Sequence, residues 1–448
     1  MISYARFKFL SVLPLAALTA CPAPPAMDAG AEAGPPDVSP VDATPELDAG
    51  GDAAVLDVAP MDGAASDGAR PDASVTDASV TDGGTACPLA RVVVTTSDGT
   101  EGAYVTGTVA DRRLQYIPPP AGRAIEQDHV VRRAGCRLYD LTRAFGAGSN
   151  ELIELDPANP YAPRRTITLP PIPMVGTPNP YDVVEVSPTK AYLALYNSPR
   201  LWVFNPATGA MTGSVDLTPF TDRDGIPEAV LLHVAGGRAW VALQQLDRMG
   251  GFAPPSRSTV VAIDTATDQP ADLDPAMPGL QASTQLTYGN PQTATPLANG
   301  RFWAIASTGT FGRGDDGGID VLDTSTGRVA QTFAASVLGG DPGGLAAMND
   351  ERIWYAVRLS GDGGSRTEVR EINVTRGMVR ADPVFTRAEP LGDLQRGPDG
   401  NLWAINGSFG ASGAVYVHGP DGASLSTFAL PPRGDAGATG TYSLAFAP

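Results

Sequence analysis

From Cys87 to Pro448 the chain alternates short apolar runs with turn residues, and one phrase keeps returning: a turn, a basic or polar residue, an aromatic, then small and aliphatic residues. It reads GCRLYDL at Gly135, PTKAYLAL at Pro188, GGRAWVAL at Gly236, NGRFWAIA at Asn299, DERIWYAV at Asp350 and DGNLWAIN at Asp399. Its aromatics, Tyr139, Tyr192, Trp240, Trp303, Trp354 and Trp403, lie 53, 48, 63, 51 and 49 residues apart. A period of this size marks stacked copies of one supersecondary unit. Within each copy the apolar residues repeat with a period of two, which predicts short antiparallel strands and no helix.

The clearest copy predicts strands at Tyr181–Ser187, Lys190–Tyr196, Arg200–Phe204 and Ser214–Leu217. After the third strand comes a recurrent polar turn: NPATG at Asn205, DTATD at Asp264, DTSTG at Asp323 and NVTRG at Asn373. Asn or Asp bonds its own backbone two residues on, and the closing Gly or Asp tolerates left-handed geometry. Four-stranded units of this length predict an all-β fold, a β-propeller whose blades pack face to face around a channel. The recurrent aromatic is expected in the wedge between blades. Arg91–Ser97 resembles a second strand with no first strand before it, and Thr441–Pro448 a first strand with nothing after it. Joined, they make a seventh blade that closes the ring. The expected blades are 88–122 with 440–448, then 123–172, 176–220, 226–276, 283–337, 340–388 and 389–432; Gly343 and Gly344 fit the sixth blade's first strand poorly.

On these repeats, such as YLALYNSPRLWVFNPATG, the chain resembles the YVTN-type seven-bladed propeller proteins of prokaryotic envelopes, with Trp for Tyr in several blades and Asn205 or Asn373 for Asp. The resemblance covers Cys87 to Pro448. It implies an architecture rather than an activity, since related propellers serve binding, scaffolding and, in some cases, catalysis.

Residues 1–20 have a basic start (Arg6, Lys8) and an apolar stretch too short to span a bilayer, the organisation of a secretory signal. Leu18-Thr19-Ala20-Cys21 resembles the bacterial lipobox, which implies lipidation of Cys21 and a membrane-anchored lipoprotein facing the periplasm or cell surface. Residues 21–86 then form an Asp/Ala/Gly/Pro-rich linker, with Asp at every fifth position from Asp57 to Asp82. Eleven Asp and two Glu against Arg70 give residues 22–86 a charge of −12, and residues 87–448 carry −8 of the total of −18. Such a composition predicts a disordered spacer before the 87–448 propeller domain. The acidic balance argues against nucleic acid as a partner. Cys87 and Cys136 precede second strands of adjacent blades, which puts them near one face; a disulfide is expected there, with free thiols as the alternative. Closing that 49-residue separation contributes about 4 kcal/mol in the chain-entropy picture.

Catalytic signals are sparse. His129, His233 and His418 fall in different blades without ligand spacing, and no G-x-S-x-G motif occurs. Asp222 and Asp224, and Asp315 and Asp316, resemble fragments of calcium loops and are weak metal candidates. In propellers the loops between second and third strands share one face with the inter-blade connections, and here those loops are long: Arg143–Asn150, Gln244–Ser258, Ser307–Gly318, Arg358–Arg366 and Gly407–Gly413, several with a Phe-Gly start at Phe145, Phe311 and Phe409. Length on one face points to recognition there. The candidate ligand-binding residues are the polar groups expected at the channel mouth: Asp128, His129, Arg143, Asn179, Tyr196, Glu228, Gln244, Asn290, Asp341, Arg358 and Asp393. The expected function is a membrane-tethered, monomeric binding or scaffolding module for a protein, peptide or glycan. No cofactor is predicted. The alternative is a Ca²⁺-dependent hydrolase or lactonase with Glu228, Asn290, Asp341 or Asp393 holding the ion at the channel.

Overall fold

A computed structural model describes residues 87–98, 101–121, 125–126, 128–143, 150–172, 176–361, 364–406, 413–431 and 440–448. The signal, Cys21, the linker, Phe145 and Phe409 lie outside them. Seven antiparallel sheets form the blades of a β-propeller. Blade 1 joins Gly440–Ala447 to Arg91–Ser97, Gly102–Thr108 and Leu114–Ile117. Blades 2 to 7 follow in chain order, with first strands at His129–Ala134, Pro180–Ser187, Ala229–Ala235, Pro291–Pro296, Pro342–Ala347 and Leu391–Arg396.

The expected closure is present: Val92 pairs with Phe446 and Val94 with Leu444, and the Thr95 and Ser443 hydroxyls meet at 2.8 Å. Three expectations need correction. Ser283–Gln285 belongs to blade 4, where it pairs with Thr259–Val261 and resumes an outer strand begun at Gln269–Pro270. The expected loop 358–366 is instead the end of a long hairpin, Arg352–Gly361 with Gly364–Asn373. The first strand of blade 6 forms with its two glycines at the register shift between Pro342 and Leu345, and it needs one: a Cβ on Gly344 would lie 2.5 Å from the carbonyl of Gly392 on the neighbouring first strand.

The core is a set of seven wedges, one per blade interface. Trp240 and Trp303 pack between blades 4 and 5, Trp354 between 6 and 7, Trp403 between 7 and 1, Tyr139 between 2 and 3, and Tyr192 between 3 and 4. All six are essentially solvent-free. The basic residue of the repeat explains itself in the same place, because Arg301 pairs with Asp323 at 2.7 Å and Arg352 with Glu371 at 2.6 Å, tying the start of a second strand to the end of the third. Glu371 also accepts the Trp354 indole N–H at 2.8 Å. The polar turns behave as read: Asn205, Asp264, Asp323 and Asn373 accept backbone N–H groups two or three residues on at 2.9 Å, and Gly209, Asp268, Gly327 and Gly377 close them with positive φ.

First strands are stitched side to side. In six of the seven, one extra residue bulges near the strand's upper end. Bulges break the ladder locally and free backbone groups, and polar side chains of one first strand cap N–H groups of the next. Ser443 accepts from Val131 at 2.7 Å, Asp182 from Leu232 at 2.7 Å, Thr295 from Ala347 at 3.2 Å and Asp393 from Leu444 at 3.1 Å. Cys87 and Cys136 form a disulfide, Cα–Cα 5.6 Å, on the face of the turns between first and second strands.

Candidate functional site

The opposite face carries the starts of the first strands and the loops between second and third strands. Asp128, Asn179, Glu228, Asn290 and Asp341 each immediately precede a first strand, close to where the sequence placed them. The carbonyls of the first four extend the ladder, accepting from Arg143, Tyr196, Gln244 and Thr308 at 2.8 to 3.1 Å. Asn179, Glu228 and Asn290 hold positive φ (51°, 45° and 64°), a conformation that disfavours Glu by about 1–2 kcal/mol. Asn150 caps the N–H of Asn179 at 3.1 Å, Ser258 that of Asn290 at 3.0 Å, and Asp341 accepts from Gly317 at 3.0 Å. These residues therefore join blades before they do anything else.

Over blades 2, 3 and 4 several of them meet. Arg143 donates to Asp128 at 2.9 Å and lies 4.9 Å over the Tyr181 ring. Tyr181 stacks on Tyr196 with centroids 5.0 Å apart and planes at 26°, and Arg248 caps the far side, 5.6 Å from Tyr196. Arg248 donates to Glu228 at 2.8 Å and to Asn197 at 2.9 Å, while the second Glu228 oxygen accepts from the Leu246 N–H at 3.0 Å. Burial pushes the Glu228 carboxyl up to about 8, against the pull of Arg248. The result is a cation–aromatic–aromatic–cation stack, a geometry in which each Arg face gains from a ring quadrupole.

Beside the stack, the loop after blade 4's second strand makes a short 3₁₀ turn, Arg248–Gly250, capped by Asp247. Its tip exposes Met249 (79%) and Phe252 (48%), and the equivalent loop of blade 5 exposes Phe311 (59%). Sequence reasoning singled out Phe311 but missed Tyr181, Arg248, Met249 and Phe252. Tyr181 is the extra residue of the blade 3 bulge, between Pro180 and Asp182. A period-two pattern has no mark for that.

Other candidates go elsewhere. His129 is fully buried between blades 1 and 2, with Nδ1 2.8 Å from Asp140 and Nε2 3.2 Å from the Thr96 carbonyl. Gln244 is buried and donates to the Pro291 carbonyl at 2.9 Å. Arg358 sits inside the blade 6 hairpin opposite Thr367, not at a strand end. Asp393 is the third residue of its strand, inside the channel, where burial raises its pKa. Glu228, Asn290, Asp341 and Asp393 are thus engaged separately, and among the described residues no three His, Cys, Asp or Glu groups stand together as a metal cluster. Asp222 and Asp224 accept backbone N–H groups at 3.0 and 2.8 Å, Asp315 pairs with Arg313 at 2.7 Å, and Asp316 accepts from Thr310 at 3.0 Å. Those contacts make turns.

No protein-family model matches the chain, and no curated protein matches it. Solved structures do. A putative 6-phosphogluconolactonase from Bacteroides uniformis is 13% identical, with 80% of this chain and 99% of that one covered and a TM-score of 0.49. A functionally unknown protein from Desulfotomaculum acetoxidans is 12% identical, with coverage of 80% and 99% and a TM-score of 0.47. Hydrazine synthase from Kuenenia stuttgartiensis is 13% identical, covering 68% and 81%, at 0.47. Likeness at this level carries no function, and the seven-bladed assignment rests on the strand pairing itself.

Proposed function

We propose that the protein is a binding or scaffolding module that takes a protein or peptide partner on its long-loop face, held at the cell envelope through a lipidated Cys21. The observation that carries this reading is the exposure of Met249, Phe252 and Phe311 on neighbouring loops of that face, next to the Arg143–Tyr181–Tyr196–Arg248 stack. Large apolar side chains beside aromatic and Arg anchors are the usual makings of a binding hot spot. The stack is held because both guanidiniums are hydrogen-bonded, Arg143 to Asp128 and Arg248 to Glu228 and Asn197, so little side-chain entropy is lost when a partner covers it. A glycan would find both tyrosine faces already covered by the stack and would leave Met249 and Phe311 without a role.

Photo-crosslinkers placed at Met249, Phe311 and, as a control, exposed Leu425 on the outer strand of blade 7 test the reading in the native envelope. One defined partner is expected from the first two positions and not from Leu425, and Phe252→Asp should weaken its capture about tenfold or more without changing the melting temperature. Equal capture from all three positions contradicts the proposal.

A further inference from the structure

A cavity of about 830 Å³ opens at the other end of the channel, on the face of the first-to-second-strand turns. Its wall is largely apolar, with Leu89, Val131, Leu345, Ala347, Leu394 and Phe446. Four arginines and two carboxylates also line it. Two of the arginines are compensated: Arg132 lies 3.5 Å from Asp182, and Arg137 lies 3.2 Å from Glu185 and 3.5 Å from Glu154. Asp393 is occupied by the Leu444 N–H. That leaves Arg133, whose side chain makes among the described residues one hydrogen bond, a 3.4 Å contact to the Gly135 carbonyl, and Arg396, whose exposed side chain makes no hydrogen bond or ion pair among them. Uncompensated cations beside an apolar hollow are out of place in a domain of charge −8.

We propose that this cavity binds the chain's own acidic segment, residues 73–84. Arg133 belongs to blade 2 and Arg396 to blade 7, with blade 1 between them. The two cations therefore flank the apolar wall instead of converging on one point, which suits two carboxylates on an extended chain better than a single phosphate. Side chains between the carboxylates cover the wall, and each Arg gains a charge-assisted hydrogen bond. The chain itself contains such a sequence: residues 73–84 read ASVTDASVTDGG, with Asp77 and Asp82 separated by small and β-branched residues, and they end three residues before Cys87, which lines the cavity. A segment attached there is present at an effective concentration of about millimolar.

The test titrates a fluorescein-labelled peptide of residues 73–84 against the full-length protein and its Asp77→Asn/Asp82→Asn, Arg133→Ala and Arg396→Glu variants. Saturable binding is expected that falls about tenfold or more in each Arg variant, weakens in roughly 0.5 M salt, and is absent for the peptide carrying Asn at both Asp positions. Tighter binding to the Asp77→Asn/Asp82→Asn protein than to the wild type is expected, because the chain's own segment then no longer competes; equal binding to the two proteins overturns the assignment of that segment as the occupant. Arg396 is exposed, so its variant keeps the fold, and unchanged melting temperature verifies that. Unaltered affinity in both Arg variants, equal binding of the Asn peptide, or no saturable binding to any of the four proteins overturns the proposal.

Discussion

His129 shows how much a single residue can conceal. Both of its ring nitrogens face oxygens, the Asp140 carboxyl at 2.8 Å and the Thr96 carbonyl at 3.2 Å, an arrangement that favours the protonated ring. Burial opposes that charge, but Asp140, to which the Tyr104 hydroxyl also donates, outweighs it and holds the pKa above the ordinary value. Because the folded pKa is raised, the pair stabilises the fold fully below about pH 6.5, and the contribution is lost as pH rises through the elevated folded value. Thermal melts of wild type and His129→Gln from about pH 5.5 to 9 should show a gap that narrows with rising pH; a constant gap contradicts the raised pKa. In the sequence His129 read as a channel-mouth ligand because it follows Asp128 at a strand start. Its burial depends on Tyr104 and Thr96 of another blade, which no local pattern can supply. Asn179, Glu228, Asn290 and His129 all stand at the strand starts that the sequence pattern marks, while the partners of each come from other strands and loops: strand starts are legible, partners are not.

At the scale of the strand, the repeat's grammar was legible almost to the residue. Arg200–Phe204 matches its expected span, Lys190–Leu195 ends one residue short of it, Met211–Asp216 starts three residues before the expected Ser214, and the Asn205, Asp264, Asp323 and Asn373 turns form as local chemistry requires. What alternation could not show is the bulge that six first strands share, since one added residue shifts the pattern without erasing it. The bulge rotates Tyr181 toward Tyr196 and so creates the aromatic stack. Close approach of backbones is equally silent in sequence, which is why Gly343 and Gly344 looked like a defect. They separate cleanly by experiment. Gly344→Ala should destabilise by about 1–3 kcal/mol, because its Cβ meets the Gly392 carbonyl, while Gly343→Ala, whose nearest neighbour is 3.5 Å away, should stay within about 0.5 kcal/mol. Equal effects in denaturant titrations would refute the close-packed channel.

For the molecule as a whole, stability is distributed over seven wedges, each shared by two blades, so every sheet depends on both neighbours. The wedge between blades 7 and 1 is unusual in needing both ends of the chain: Leu444 and Phe446 pack with Val92 and Val94 against Trp403 and Ile405. Fold class, blade number and closure were readable because they follow from periodicity and from two half-blades at opposite ends. Function was less readable because both candidate surfaces are assembled across blades. Tyr181, Tyr196 and Arg248 come from two blades and Arg133 and Arg396 from two others, in segments whose sequences are otherwise ordinary. Each surface exists only while the ring is closed. Removing residues 441–448 and following thermal unfolding tests that most directly. The account predicts a melting temperature lower by about 10 °C or more, with blade 1's exposed strand edge promoting aggregation. An unchanged melting temperature would contradict a ring sealed by its last strand.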